Sequence, residues 1–143
     1  MNIDDALFSK HDPLKRIQID YFKQILQSLI ARYDKVYDTC RCKPITWIEF
    51  SRFIDASYVC GFVCKDFDHQ FDDVTTIGDQ VHKLHHAPEL VQSLNIQQLR
   101  HVVHHIIRCE RWNDGGSQFG GGCIWDMLES GFGHAIADAL ERL

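Results

Sequence analysis

Residues 95–112 read NIQQLRHVVHHIIRCERW, and this stretch decides the fold more clearly than any other part of the chain. At 100° per residue of an α-helix, its Ile, Leu and Val side chains fall on one side and its histidines fall on the other. Asn95 is expected to cap the helix, with Gln98 at the reciprocal position of a capping box. The stretch therefore predicts a long amphipathic helix that buries one face in a hydrophobic core.

Two further helices are predicted in the first 61 residues. The first begins at Leu14, directly after Pro13, a position that suits proline. Its core-facing stripe is expected to contain Leu14, Ile17, Tyr21, Ile25, Leu29 and Tyr33. The second begins at Thr46, whose hydroxyl is placed to form a capping box with Glu49, and Gly61 is placed to end it.

The rest of the chain completes a helical domain. Residues 62–73, rich in aromatic and acidic side chains, are expected to form an extended connection or a short strand. A helix over residues 74–85 follows and stops before Pro88, because the residue that precedes a proline is pushed out of the helical region. Two short helices, separated near Gly131, close the chain. The predicted fold class is all-α: a single domain over residues 1–143, a compact bundle of five to six helices with a glycine-rich loop before the last two short helices.

The charge balance argues against several classes of partner. Fifteen basic and twenty acidic residues give a formal net charge of −5, whereas binding to nucleic acid or an anionic membrane depends on clustered Lys and Arg. No run approaches the roughly 20 apolar residues that span a bilayer, and the acidic N-terminus does not resemble a secretion signal. A cytoplasmic protein without a membrane or nucleic-acid partner is therefore expected.

The six cysteines are expected to be reduced thiols, since the cytoplasm is a reducing compartment and their spacing contains no C-x2-C zinc motif. No cysteine has sequence neighbours that predict a lowered pKa, and no Gly-x-Ser-x-Gly nucleophile motif occurs. Nucleophilic catalysis is accordingly not predicted, and no cofactor is expected.

A charged and aromatic cluster at the end of the long helix is the main candidate site. It contains Arg108, Glu110, Arg111, Trp112, Asp114 and Gly115. Continued for one more turn, the helical wheel places Glu110 on the apolar side, where a carboxylate needs an arginine or backbone partner. The possible arginine partners are Arg32, Arg52, Arg100 and Arg111. Two interpretations stay open: Glu110 is a buried anchor for the segment that follows, or the charged residues form the polar floor of a pocket.

The same cluster carries a family resemblance. The chain resembles a bacterial family, known only as a domain of unknown function, in Arg-Cys-Glu-Arg-Trp-Asn-Asp-Gly at residues 108–115 and in the closing Leu-Glu-Arg-Leu at residues 140–143. Members of that family read Arg-x-Glu-Arg-Phe-x-Asp-Gly and end in a Leu-x-Arg-Leu helix. Trp112 stands where the family has Phe, and the glycine-rich segment replaces a Gly-His-Leu step. The resemblance implies a shared fold and motif, and it implies no reaction.

The glycine-rich segment is a second candidate site. Five of the eight residues over positions 115–122 are glycines, and a helix is expected to begin directly after them. The backbone amides of Gly120, Gly121 and Gly122 are candidates for binding an anion at that junction. The segment has no Gly-Lys-Ser/Thr ending and no preceding strand, so a plain surface loop is the alternative.

Histidine and aspartate patterns raise the question of a metal site. His82 and His86 are four residues apart, as are His101 and His105, so each pair lies on one helical face and can supply two transition-metal ligands. The alternative is that these histidines are solvated or hydrogen-bonded. The four aspartates in residues 66–73 similarly indicate either a Mg²⁺ or Ca²⁺ site or a solvated turn.

Three functions follow from these patterns. The preferred hypothesis is a protein-interaction or binding module without enzymatic activity, which acts on a protein partner or as a homo-oligomer such as a homodimer. The second is an enzyme or small-anion binder that uses Arg108, Glu110, Arg111 and Asp114 beside the glycine-rich loop. The third is a metal-binding protein that uses the two histidine pairs.

Overall fold

The fold is built from packed helices and one small β-hairpin. The computed structural model describes residues 6–36, 47–72, 74–112 and 122–143. Its α-helices are α1 (Arg16–Val36), α2 (Ile48–Val59), α3 (Ile77–His86), α4 (Ile96–Trp112), α5 (Cys123–Glu129) and α6 (Phe132–Glu141). A 3-10 helix (Pro88–Ser93) lies between α3 and α4, and strands β1 (Gln70–Asp72) and β2 (Thr75–Thr76) pair antiparallel. The predicted all-α class is confirmed.

An aromatic cluster holds the first helices together. Helix α1 packs against both α2 and α6, while α4 packs against α3 and α5. The rings of Phe22 and Phe62 stack with their centroids 3.9 Å apart, and the Phe53 ring centroid lies 5.5 Å from that of Phe22. All three side chains are buried. The cluster therefore joins α1, α2 and the segment after α2 in one hydrophobic core.

The predicted core stripe of α1 is wrong in its N-terminal half. Ile17 is 73% exposed and Tyr21 is 49% exposed. The helix buries Leu29 as predicted, together with Ile19, Phe22, Leu26 and Ile30, which were not in the predicted stripe. Phe22 reaches the centre of the aromatic cluster, which turns the helix so that Ile17 and Tyr21 face solvent.

Gly61 ends α2 as the sequence predicts. Its φ of +79° lies in the left-handed region, and a Cβ atom there would lie 3.0 Å from a methyl carbon of Leu14. The start of the helix differs from the prediction, because α2 begins at Ile48 with Trp47 at the N-cap position. Thr46, the expected cap, lies outside the described residues.

Helix α3 begins three residues later than predicted. The side chain of Thr76 accepts a hydrogen bond from the Asp79 N–H group at 3.3 Å and caps the helix. Thr75 and Thr76 pair with β1, and Val74 is 90% exposed. Both threonines are β-branched, which favours an extended backbone over a helical turn.

The capping box of α4 is confirmed. The Asn95 side chain accepts the Gln98 N–H group at 2.9 Å, and the Gln98 side chain accepts the Asn95 N–H group at 2.9 Å. The predicted apolar face is also confirmed, since Leu99, Val102, Val103, Ile106 and Ile107 are buried.

A buried arginine on α4 ties three parts of the chain together. Arg100 is 2% exposed and directs its guanidinium to backbone carbonyl groups. Its Nη1 atom donates to the Asp12 carbonyl at 2.8 Å, and its Nε and Nη2 atoms donate to the Gly61 carbonyl at 3.1 and 2.8 Å. Nη2 also lies 3.1 Å from the Sγ atom of Cys64. Arg100 thus fixes the N-terminal segment and the end of α2 on α4, and its donors are used here instead of pairing with Glu110.

The last two helices follow the predicted division. Gly131, with a φ of +81°, lies between α5 and α6 and adopts the left-handed conformation that separates them. Along the parts of the chain that the structure describes, no helix has both the length and the apolar character needed to cross a membrane.

Candidate functional site

A cysteine and a histidine face each other on the last turns of α4. Cys109 follows His105 by four residues, so the two side chains project from the same side of the helix. The Sγ atom of Cys109 lies 3.2 Å from the Nε2 atom of His105. Both side chains are half-buried, so they remain accessible from a pocket. This contact provides a charged or polar partner for a thiolate at Cys109.

A second thiol completes the cluster. Cys123 is the first residue of α5, and its thiol is hydrogen-bonded to Cys109. This hydrogen bond lowers the pKa of Cys109 well below its ordinary value, against the opposing effect of burial. The hydrogen bond from His105 and the charges of His105 and Arg108 lower the pKa further. The sequence around Cys109 does not predict this lowered pKa, because its largest cause is Cys123 on another helix.

The surrounding charges decide which of the two sulfurs ionises. The hydrogen bond to Cys109 raises the pKa of Cys123, and so do burial and the charge of Cys109 itself. The carboxylates of Glu110 and Asp126 raise the pKa of Cys123 further. Since Cys109 lies near Arg108 and His105 while Cys123 lies near carboxylates, the surroundings favour a thiolate at Cys109 over one at Cys123.

Glu110 positions the helix that carries Cys123. A side-chain oxygen of Glu110 accepts the N–H group of Ile124 at 2.8 Å, at the start of α5. Gly122 precedes α5 with a φ of +101°, and a Cβ atom there would lie 2.9 Å from the Glu110 carboxylate. Glycine at this position therefore permits both the left-handed backbone and the close approach of Glu110. The contact is of the anchoring kind that the first interpretation of Glu110 expects.

Two other members of the predicted charged cluster have different neighbours in the structure. Arg108 and Arg111 are both exposed. Arg108 lines a pocket beside Cys109, whereas the Arg111 guanidinium lies 6.0 Å from the centre of the Tyr58 ring. The Trp112 side chain lies outside what the structure describes, and so do Asp114, Gly115, Gly120 and Gly121. Of the candidate anion loop, only Gly122 is described.

Two pockets meet at Cys109 and His105. The smaller, of about 150 Å³, is also lined by His82, His85, Cys123 and Asp126. The larger, of about 430 Å³, is also lined by Asp68, His69, His101, His104 and Arg108. Because Cys109 and His105 line both pockets, a molecule bound in the larger pocket lies next to the thiolate.

The structure places the two predicted histidine pairs in different surroundings. The His82 and His86 rings lie 4.7 Å apart between centroids, and both side chains are exposed. The Nε2 atom of His101 lies 2.9 Å from the Asp68 carbonyl oxygen, whereas His105 contacts Cys109. Helices α3 and α4 do pack together, yet no group of three or more His, Cys, Asp or Glu side chains is arranged to hold a metal ion within the described ranges.

Two histidines on α4 are buried rather than solvated. His101 stacks on Phe67 with the ring centroids 4.4 Å apart, and the Nδ1 atom of His104 accepts the Cys64 N–H group at 3.2 Å. Burial lowers the pKa of His101, and it lowers the pKa of His104 to about 3. Both imidazoles are therefore neutral near pH 7 and contribute hydrogen bonds instead of charge.

The described carboxylates of residues 66–73, those of Asp66 and Asp68, accept hydrogen bonds from other groups of the protein. The Asp66 carboxylate accepts the Ser9 hydroxyl and the Lys10 N–H group, both at 2.6 Å. The Asp68 carboxylate accepts the Gln70 N–H group at 3.0 Å. These contacts are those of a structured turn. The Asp72 side chain and Asp73 lie outside the described part of the chain.

The pair of Cys109 and Cys123 was not predicted from the sequence. The four-residue spacing of His105 and Cys109 was a usable signal, because it places both side chains on one helical face. Cys123 gave no such signal, since it reaches Cys109 only through the packing of α5 on α4.

Comparisons with protein-family profiles, with curated proteins and with solved structures give no match to this chain. The resemblance to a bacterial domain family therefore stays a prediction.

Proposed function

We propose that this chain is a thiol–disulfide redox domain, in which Cys109 is the attacking thiolate and Cys123 is the resolving thiol. The observation that supports it is the line of contacts from His105 to Cys109 to Cys123. A nucleophilic thiol needs stabilising donors around its sulfur, and a resolving thiol needs to lie next to it. The other two described cysteines, Cys60 and Cys64, are buried with raised pKa values and do not meet these conditions.

The reaction proceeds by two exchanges at the Cys109 sulfur. The Cys109 thiolate attacks one sulfur of a disulfide RSSR, a bond forms between Cys109 and RS, and the other RS⁻ leaves and takes up a proton. Cys123 then loses its proton and attacks the Cys109 sulfur, so that the second RS⁻ leaves and is protonated. The sum is one RSSR reduced to two RSH while the two protein thiols are oxidised to one disulfide.

The surrounding residues perform two tasks in this reaction. His105 and Arg108 stabilise the thiolate at Cys109 before attack. The hydrogen bond to Cys109, burial and the charge of Cys109 keep Cys123 protonated until Cys109 has reacted, with a smaller effect from Glu110 and Asp126. Loss of the charge of Cys109 removes one cause of the raised pKa of Cys123, so the second thiol is activated by the first step itself.

The experiment that tests this proposal follows the oxidation of the reduced protein by 2-hydroxyethyl disulfide, with a chelator present and oxygen excluded. We expect two 2-mercaptoethanol molecules released per protein and one Cys109–Cys123 disulfide in the peptide map. The Cys123→Ser variant is expected to release one and to stop at a mixed disulfide on Cys109. The Cys109→Ser variant is expected to lose the fast phase of 2-mercaptoethanol release.

Buried thiols provide the internal control. Cys60 and Cys64 are expected to remain unmodified during the fast phase, because burial raises both pKa values. First attachment at a cysteine other than Cys109 would overturn the proposal. So would a tightly bound zinc ion, removable only by denaturation, that blocks reaction at both Cys109 and Cys123.

The three sequence-based hypotheses remain predictions beside this proposal. The interaction-module hypothesis has no described contact that identifies a partner. For the second hypothesis, an enzyme or small-anion binder, the two arginines have different neighbours. Arg108 lines the pocket beside Cys109, whereas Arg111 contacts Tyr58.

A further inference from the structure

Building on the thiol–disulfide function, we propose that the pocket of about 430 Å³ beside Cys109 binds a small disulfide that carries a carboxylate, and that Arg108 pairs with that carboxylate. Arg108 belongs to the charged cluster identified from the sequence, whereas Cys109 was not identified there as a functional residue. The pocket combines a thiolate, a cationic side chain and an opening large enough for a small molecule.

The position of the pocket relative to the two sulfurs supports this assignment. Cys109 lines both pockets, and Cys123 lines the smaller one. In thiol–disulfide exchange the attacking sulfur approaches the central sulfur from the side opposite the bond that breaks. The larger pocket is lined by Cys109 and not by Cys123, so it offers space for the leaving RS group when Cys123 attacks.

The charge of the larger pocket favours an anion. Arg108 is exposed at the pocket, and no ion pair joins it to a carboxylate in the part of the chain that the structure describes. His101 and His104 are kept neutral by burial, so they do not oppose a negative ligand and do not add charge. Asp68 is the one acidic residue that lines this pocket, and its negative charge opposes an anion, so the proposal depends on the exposed Arg108 next to Cys109.

The geometry of Arg108 relative to Cys109 fits a bifunctional ligand. The two residues are adjacent on α4 and line the same pocket. A guanidinium holds a carboxylate with two parallel hydrogen bonds, which fixes orientation as well as position. A carboxylate a few bonds from the sulfur would place the disulfide against Cys109. The pocket volume restricts the ligand to low-molecular-weight disulfides, since it is at the small end of the range for bound small molecules.

The test compares three small disulfides of different charge on the reduced protein. The probes are anionic 3,3′-dithiodipropionate, neutral 2-hydroxyethyl disulfide and cationic cystamine. Each rate of mixed-disulfide formation at Cys109 is divided by the rate of the same disulfide with a free small thiol, which removes differences in intrinsic reactivity. We expect the anionic disulfide to react about tenfold faster than the neutral one on this scale, and the cationic one to react slowest. The preference is expected to shrink as salt is added.

The Arg108→Gln variant separates recognition from thiol activation. Loss of the charge next to Cys109 lowers its reactivity toward every disulfide, so the informative quantity is the ratio of the anionic to the neutral rate. We expect this ratio to fall from about ten to about one in Arg108→Gln. Arg108→Lys is expected to keep part of it. Arg111→Gln, which removes an exposed arginine that contacts Tyr58, is the matched control and should keep the full ratio.

The outcomes distinguish this inference from the function on which it rests. Equal scaled rates for all three disulfides, or a ratio unchanged in Arg108→Gln, would overturn the anionic subsite while the thiol–disulfide function stands. Absence of fast reaction at Cys109 with every disulfide would overturn the function itself.

Discussion

The Nε2 atom of His105 lies 3.2 Å from the Sγ atom of Cys109, one helical turn along α4. This contact lies on a helix whose other face is buried in the core, so both side chains are held on a rigid element. The second thiol comes from a different helix, and its approach depends on Glu110. Rigid placement of the first thiol and anchored placement of the second are what a dithiol site requires.

Removal of the Glu110 anchor is expected to lower the stability of the fold and to slow the attack of Cys123 on the mixed disulfide at Cys109. Glu110→Ala leaves the Ile124 N–H group without its acceptor, which lowers the free energy of unfolding by about 1–3 kcal/mol. Glu110→Gln keeps an acceptor oxygen and serves as the matched control with a smaller loss. Urea denaturation measures the stability, and release of the second 2-mercaptoethanol molecule measures the attack by Cys123. Wild-type values for both quantities in Glu110→Ala would show that Glu110 does not hold α5.

Oxidation of the thiol pair is expected to stabilise the protein. A Cys109–Cys123 disulfide closes a loop of 15 residues, counted inclusively. Such a loop raises the free energy of unfolding by about 3 kcal/mol, mainly because it restricts the unfolded chain. Denaturation of the oxidised and reduced protein measures the difference, and Cys123→Ser should show none. Destabilisation on oxidation would mean that the folded site resists the disulfide geometry.

Arg100 is expected to be a major stabilising residue without a role in the reaction. Arg100→Met removes the donors to the carbonyls of Asp12 and Gly61, which we expect to lower the free energy of unfolding by about 2–4 kcal/mol. Arg52→Met, at an exposed position of α2, is the control and should change stability by less than about 0.5 kcal/mol. Equal effects of the two substitutions would contradict the structural role of Arg100.

His104 is expected to make the protein less stable in acid. Burial holds the pKa of His104 at about 3 in the folded state, whereas the unfolded chain binds the proton near pH 6.5. Its stabilising effect is therefore complete above pH 6.5 and is lost as the pH falls from 6.5 toward 3. The loss from this group between pH 7 and pH 5 is about 2 kcal/mol.

The His104→Asn variant tests that assignment. Asparagine keeps an acceptor for the Cys64 N–H group and does not titrate, so the variant should lose about 2 kcal/mol less between pH 7 and pH 5 than the wild type. Urea denaturation at the two pH values measures this difference even if the variant is less stable at both. The same pH dependence in both proteins would assign the acid sensitivity to other groups.

Local sequence patterns were sufficient for the elements whose structure is set within a few residues. The box of Asn95 and Gln98, the end of α2 at Gly61 and the break at Gly131 all depend on near neighbours in the chain. The face of α1 was predicted wrongly at Ile17 and Tyr21, because its orientation is decided by contacts with Phe53 and Phe62 on other segments.

The candidate site was only partly accessible from the sequence for the same reason. The helical position of Glu110 indicated an anchoring role as one of two interpretations, and its partner, the Ile124 N–H group, is evident only from the packing of α5. The lowered pKa of Cys109 depends first on Cys123, which lies on a different helix. A pattern search along one helix does not detect such a pair, because the interaction is a property of packing between helices.

The most direct measurement of the central claim is the rate of iodoacetamide alkylation at Cys109 as a function of pH, resolved by peptide mass spectrometry. We predict half-maximal reactivity at a pH well below the midpoint of an ordinary cysteine in the reduced wild-type protein, because the Cys123 hydrogen bond and His105 stabilise the thiolate. Cys123→Ala should move the midpoint upward, and Cys123→Ser, which keeps an O–H donor, should move it less. A wild-type midpoint near 8.5, the value of an ordinary cysteine, would contradict the account.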